Sequence, residues 1–218
     1  MLKLIRLGFI VALLLGVSYY ALVRYTQQIP LQIPDEIYTV TAGSSAASLC
    51  RQWQQQHLLT SSNCLALKLY LRLHPAQAGV QQGVYRLSAE QTLLQVLALF
   101  RSGKEAQFAL TLIEGETVQQ SLQRITQARY LTQDLHTAED VQAMLQWPAA
   151  WGETPVNSEA LLYPDTYYYT ANSSARELVQ RAQQALLKEL AQAWEQRQGD
   201  LPLQTPYQLL ILASIIEK

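Results

Sequence analysis

Glu217 sits at the end of an almost wholly apolar run, Leu209 to Lys218, read LLILASIIEK. At helical spacing it shares a face with Leu210, Ala213 and Ser214, which sets its carboxyl over small and apolar residues. Desolvation of that kind raises a carboxyl pKa and keeps a proton available near neutral pH, as a general acid on a glycosidic oxygen requires. The plainer reading is a solvated acid at the C-terminal end of a core helix. A second cluster, Leu162 to Tyr169 (LYPDTYYY), gathers tyrosines around Asp165. Aromatic faces with a polar tip suit a sugar groove, and the same residues suit a tyrosine-packed strand after a Pro-Asp turn. Both readings stand. His57, His74 and His136 are scattered, with no HExxH spacing, and no Walker loop, GxGxxG or GxSxG occurs, so no metal or cofactor is implied.

The elements that must position these residues alternate between short strands and helices. Thr205-Pro206-Tyr207-Gln208 starts the last helix with an N-cap, a proline at the first position and a glutamine three residues on; its nearly apolar surface predicts burial on most faces. Upstream, Ile37–Val40 reads as a strand, with Thr41 to Ser45 opening a helix that carries Ala46, Leu49, Cys50, Trp53 and His57 at helical spacing. A further helix runs from about Cys64 to Leu73 and stops at His74-Pro75. A second strand covers Gly83 to Leu87, and a helix from Thr92 to Phe100 closes near Gly103. A new segment begins near Lys104. It holds a strand at Phe108 to Ile113, a capping box at Thr117–Gln120 opening a helix toward Ala128, and a helix from Asp134 to Trp147. A long helix capped at Ser173 or Ser174 then runs to about Gln198, with Leu178, Ala182, Ala185, Leu186, Leu190, Ala193 and Trp194 on one side.

Compartment follows from the N-terminus. Leu7 to Val23 contains no charge, and its 17 residues make about 25 Å of helix, near the short end for a membrane span. Lys3 and Arg6 precede it, Arg24 follows, and Tyr19, Tyr20 and Tyr25 occupy the place of an interfacial belt. A cleaved signal peptide is the rival, but no small-x-small site follows the apolar run. Residues 1–25 are therefore read as a cytoplasmic stub and anchor, with the rest on the far side of the membrane. Residues 26–37, with Pro30 and Pro34, suit an extended spacer. In an oxidising compartment Cys50 and Cys64 either pair, closing a loop worth about 3 kcal/mol, or remain two buried thiols. Across 218 residues, 16 Lys+Arg balance 17 Asp+Glu for a net charge of -1, so no basic field exists to hold nucleic acid.

The β-α-α-β unit opening with YTVTAGSSAASL and closing with GVYRLS resembles the LysM-like module of bacterial cell-wall proteins. With LFRSGKEAQFALTLIEGETV, SEALLYPDTYYYTANSS and LASIIEK added, the whole chain resembles the endolytic murein transglycosylase (MltG/YceG-like) family. That resemblance implies an α+β chain: a transmembrane helix, a LysM-like module over 38–103 and the N-terminal part of an α/β catalytic domain over 104–218. It implies cleavage of MurNAc-GlcNAc β-1,4 bonds to leave 1,6-anhydro-MurNAc ends, with Glu217 at the position of the catalytic glutamate. Glu159 and Asp165 become candidates for substrate binding, orienting substrate or the helix. The family usually has a glycine after the first of these acids; Ala160 stands there. Implied partners are peptidoglycan glycan strands, the bacterial inner membrane and proteins of cell-wall synthesis. Because family members continue well past this helix, the chain is expected to be an N-terminal fragment. The alternative is a non-catalytic, membrane-tethered glycan-binding or scaffold protein.

Overall fold

The computed structural model describes residues 2–34, 36–88, 90–199 and 201–216. The fold mixes helix and sheet, and its contacts divide it into two units, Met1–Ala106 and Gln107–Lys218.

The first unit begins with helix α1, Leu2–Gln28, followed by β1 (Ile37–Val40), α2 (Ala46–Gln55), α3 (Ser61–Leu73), β2 (Gly83–Arg86) and α4 (Leu93–Ser102). Strands β1 and β2 pair antiparallel with Tyr38 opposite Tyr85. Capping boxes start α2 at Ser45 and α4 at Thr92, each satisfying a backbone N–H that the first turn leaves without a partner. Gly103, at φ 67°, ends α4 in the left-handed region that glycine adopts without a Cβ penalty. His57 (φ 59°) lies beyond α2 instead of on its face. Trp53, Tyr85 and Phe100 are fully buried at the centre, with the Tyr85 and Phe100 rings 4.8 Å apart. The Tyr85 hydroxyl donates to the Gln81 and Phe100 carbonyls at 3.1 and 3.3 Å. Cys50 on α2 and Cys64 on α3 form a disulfide.

Residues 26–37 are not an extended spacer. Helix α1 continues to Gln28, and Ile29 and Leu31 are buried in the same core as Trp53. Leu31 N–H donates to Gln91 O at 3.1 Å and Leu93 N–H to Ile29 O at 2.9 Å. The isolated apolar residues between the prolines fill the core, and the backbone around Pro30 bridges to Thr92.

The second unit comprises β3 (Gln107–Thr111), α5 (Val118–Thr126), α6 (Ala138–Ala143), β4 (Thr166–Thr170), α7 (Ala175–Glu195) and α8 (Pro206–Ile216). Strands β3 and β4 pair antiparallel, Leu110 opposite Tyr167 and Ala109 opposite Tyr168. Alternation along β4 sends Tyr167 and Tyr169 inward and leaves Tyr168 60% exposed. Helix α7 buries Leu178, Val179, Ala182, Gln183, Leu186 and Leu190; Ala193, expected on that face, is exposed.

Two expectations change here. Asp134 to Trp147 is not one helix: Thr137 and Asp140 form a capping box that starts α6 only at Ala138, and Asp134 is drawn off to cap α7. Helix α8, expected to be buried on most faces, buries only Pro206 among its described residues, with Ile215 and Ile216 exposed.

Candidate functional site

The residues singled out in the sequence fall on three parts of the second unit. The first is the stretch before β4. Ser158 is buried and its hydroxyl donates to Ala138 O at 3.4 Å; Leu161 is fully buried and its N–H donates to Ser158 O at 3.2 Å. Between them Ala160 takes φ 60°, a left-handed conformation that crowds a Cβ. This is the place where a glycine was expected and alanine stands. The tight turn it makes carries Glu159, whose Oε2 accepts the Val118 N–H at 3.0 Å. A carboxylate at the first residue of α5 satisfies an orphan N–H and complements the positive end of the helix.

Asp165 turns a carboxylate oxygen onto the Thr166 N–H at 2.6 Å, and its carbonyl accepts the Leu112 N–H at 3.0 Å. Glu159 and Asp165 thus hold opposite ends of the connection between β3 and α5. Within it, Glu116 is paired with Arg124; the guanidinium's hydrogen bonds and charge outweigh burial and hold the Glu116 carboxyl below its ordinary range. Tyr167, beside Asp165 in β4, donates its hydroxyl to Tyr163 O at 2.8 Å. Burial, then the nearby Asp165 and Tyr163, push its pKa up to about 12 against the opposing charge of Arg181, so it stays a neutral donor.

The second part is an open cleft of about 470 Å³ between β4 and the first turns of α7. Tyr168, Glu177, Gln180, Arg181 and Gln184 line it, and Arg181 Nη1 donates to Tyr168 O at 2.9 Å. An exposed ring beside amides, an acid and a guanidinium is the mixture of flat apolar surface and donors and acceptors that hydroxyl-rich ligands require. The tyrosine cluster therefore divides: Tyr167 and Tyr169 pack the strand and Tyr168 faces the cleft. The helical residues of the cleft were missed as a site, although positions 177, 180, 181 and 184 repeat at i, i+3, i+4 and i+7 and so mark one polar face. A polar helix face signals solvent as readily as a ligand, which is why the spacing alone does not single it out.

Asp134 supports this cleft. Its carboxylate accepts from Ser174 Oγ at 2.5 Å and from Arg176 N–H at 3.1 Å, fixing the start of α7. Burial works against the charge, but those hydrogen bonds and Arg176 prevail and keep the carboxyl below its ordinary range.

The third part is the base of α8. Gln208 N–H donates to Thr205 Oγ1 at 3.3 Å, as the capping pattern predicted. Tyr207 meets Trp147 edge-on at 5.8 Å, and Trp147 meets Trp151 at 5.3 Å, so aromatic packing seats the helix that leads to Glu217. Glu217 itself lies outside the described residues. Among the described residues no cluster of His, Cys, Asp or Glu has the makings of a metal site.

The YceG-like family model matches residues 38–218, more than four-fifths of the sequence, and the chain belongs to that family. Among solved structures, a protein described as yceG-like from Listeria monocytogenes is similar at 21% identity with a TM-score of 0.33, over 73% of this chain and 56% of that one. The chain thus spans a little over half the length of that relative. No curated protein matches it.

Proposed function

We propose that the protein is a membrane-anchored lytic transglycosylase that cuts glycan strands of peptidoglycan internally. The family match over residues 38–218 carries this reading, because it includes α8 and Glu217. Glu217 donates its proton to the oxygen leaving from the MurNAc C1. The resulting carboxylate takes the proton of the muramyl C6 hydroxyl as that oxygen closes on C1, so the bond is broken without water and a 1,6-anhydro end is left. One acid serves both steps, and the pair of carboxylates needed by a hydrolase is not required. Glu159 and Asp165 act as positioning residues that hold the connection between β3 and α5 on the substrate side. The LysM-like unit over 38–103 holds glycan, and the partners are glycan strands and proteins of cell-wall synthesis.

Helix α1 anchors the chain in the bacterial inner membrane, N-terminus in the cytoplasm and the remainder in the periplasm. Its support is that Ile5–Gln28 is long and apolar enough to cross a bilayer, with none of its apolar window buried. The experiment is digestion of murein sacculi by the membrane-inserted product of the full reading frame, followed by mass analysis of the fragments. Anhydromuramyl ends are expected, and Glu217→Gln abolishes them. Reducing ends assign a hydrolase instead; cutting by Glu217→Gln at the parent rate removes Glu217 from the mechanism. Retention on murein with no cutting at all favours a glycan-binding scaffold.

A further inference from the structure

We propose that α3 is a second membrane contact, its C-terminal end entering the outer-leaflet interface beside α1 with the lower leucines of an exposed stripe against the acyl chains. The proposal rests on the reading of α1 as the anchor. Leu65, Leu69 and Leu73 are 59, 47 and 56% exposed, and at i, i+4 and i+8 they form one line along α3. The opposite face carries the buried Ala66, Leu67 and Tyr70, so the stripe is left over after the core has been filled.

Its depth follows from contacts with α1. Tyr25 Oη donates to Asn63 Oδ1 at 2.7 Å near the start of α3, and the Tyr19 hydroxyl meets His74 Nε2 at 3.1 Å at its end. The Tyr19 and His74 rings also stack at 6.0 Å. Helix α3 therefore descends along α1 toward the membrane. The uncharged stretch of α1 ends at Val23, and Tyr19 lies about 6 Å deeper along the helix. Leu73, next to His74, shares that level; Leu69, one turn earlier, lies near the boundary, and Leu65 just above it. Leu73 thus reaches the depth, about 5–10 Å, to which interfacial helices bury their apolar side chains.

The charges agree. Exposed Lys68 and Arg72 each precede a stripe leucine by one residue, and α3 carries no acid. Their aliphatic stems run along the apolar surface while the cationic heads reach lipid phosphates. A glycan offers nothing to a row of bare leucines, whereas a bilayer continuous with the surface of α1 covers it directly. Bound this way, the first unit has a second point of attachment at the membrane beside α1.

The test uses the full chain in phosphatidylethanolamine–phosphatidylglycerol vesicles whose acyl chains are brominated at shallow or deep positions. Leu69→Trp and Leu73→Trp report on the stripe and Leu13→Trp on α1, each read against the unsubstituted protein. Deep bromines are expected to quench the Leu13→Trp signal, and shallow bromines to quench Leu73→Trp at least twofold and Leu69→Trp less. Quenching at Leu13→Trp with none at positions 69 and 73 overturns the proposal and leaves the anchor intact. No quenching at Leu13→Trp overturns the anchor reading and this proposal with it. Unquenched stripe positions that cross-link between copies give the face to a second chain, which also overturns it.

Discussion

In the first unit the interior is aromatic and cross-linked: Trp53, Tyr85 and Phe100 interlock at the centre, and a disulfide ties α2 to α3. The second unit also has a two-stranded sheet under helices, and both cores are otherwise mostly Leu, Val, Ile and Ala; the aromatics of the second are the strand residues Tyr167 and Tyr169. There, carboxylates grip backbone N–H groups at helix starts, Glu159 on α5, Asp140 on α6 and Asp134 on α7. Three of its non-glycine residues, Tyr130, Ala160 and Asn172, hold left-handed backbone. The first arrangement is sensitive to volume and redox state. The second carries more left-handed backbone and more carboxylate caps, and is sensitive to acid, in the unit that forms the cleft.

That contrast is broken most severely by Trp53→Ala. Removing a fully buried indole costs about 3–5 kcal/mol, and hydrogen exchange is expected to show α2 and α4 opening while α7 keeps its protection. Equal loss of protection in both units would mean that they do not unfold separately. Reduction of Cys50–Cys64 is the next largest effect, about 3 kcal/mol by release of the closed loop. It lowers the melting of the first unit and leaves α7 unchanged.

On the other side of the comparison, Asp134→Ala removes the acceptor of the Arg176 N–H and the partner of the Ser174 cap at the start of α7 and costs about 1–2 kcal/mol, seen as faster exchange in the first turn of α7. The pH dependence has the same origin. Asp134 and Asp140 are held below their ordinary range, Asp140 by hydrogen bonds from the His136 and Thr137 N–H groups. Their contribution is complete above the unfolded value, about 3.9, and is lost as pH falls through the lower folded values. Acid should therefore loosen α6 and α7, and Asp134→Asn should flatten that slope; an unchanged slope would deny Asp134 the role. The smallest effect is a gain: Ala160→Gly relieves left-handed strain but adds freedom to the unfolded chain, for a net of about 0.5–1 kcal/mol. Differential melting of the second unit measures it, and a lower melting temperature would count against strain at this turn.

Much of the local structure was legible because its causes lie within a few residues. The helix start within Thr41 to Ser45, the caps at Thr117 and Thr205, the proline stop after Leu73 and the glycine end at Gly103 are all short-range chemistry. The Asp134 helix failed because a tertiary partner, the start of α7, competes for the same carboxylate, while Thr137 supplies a stronger helix start. Ile29 and Leu31 were hidden by the prolines around them, which signal extended backbone but say nothing about where it packs. Glu159 was legible as a residue of interest through the family pattern, whereas its bond to Val118 bridges 41 positions.

Most of the order of helices and strands, the apolar N-terminal helix and membership of the YceG-like family rest on the sequence by itself, since periodicity, capping and motif spacing are written along the chain, whereas the strand at β4 stayed open. Which tyrosine meets the cleft, that Cys50 and Cys64 meet, that Glu159 and Asp165 grip one connection, and that α3 turns a leucine stripe outward beside α1 were decided only by the tertiary structure. Each of these depends on register or on contacts between residues far apart in sequence, and burial is a property of neighbours that local spacing does not contain.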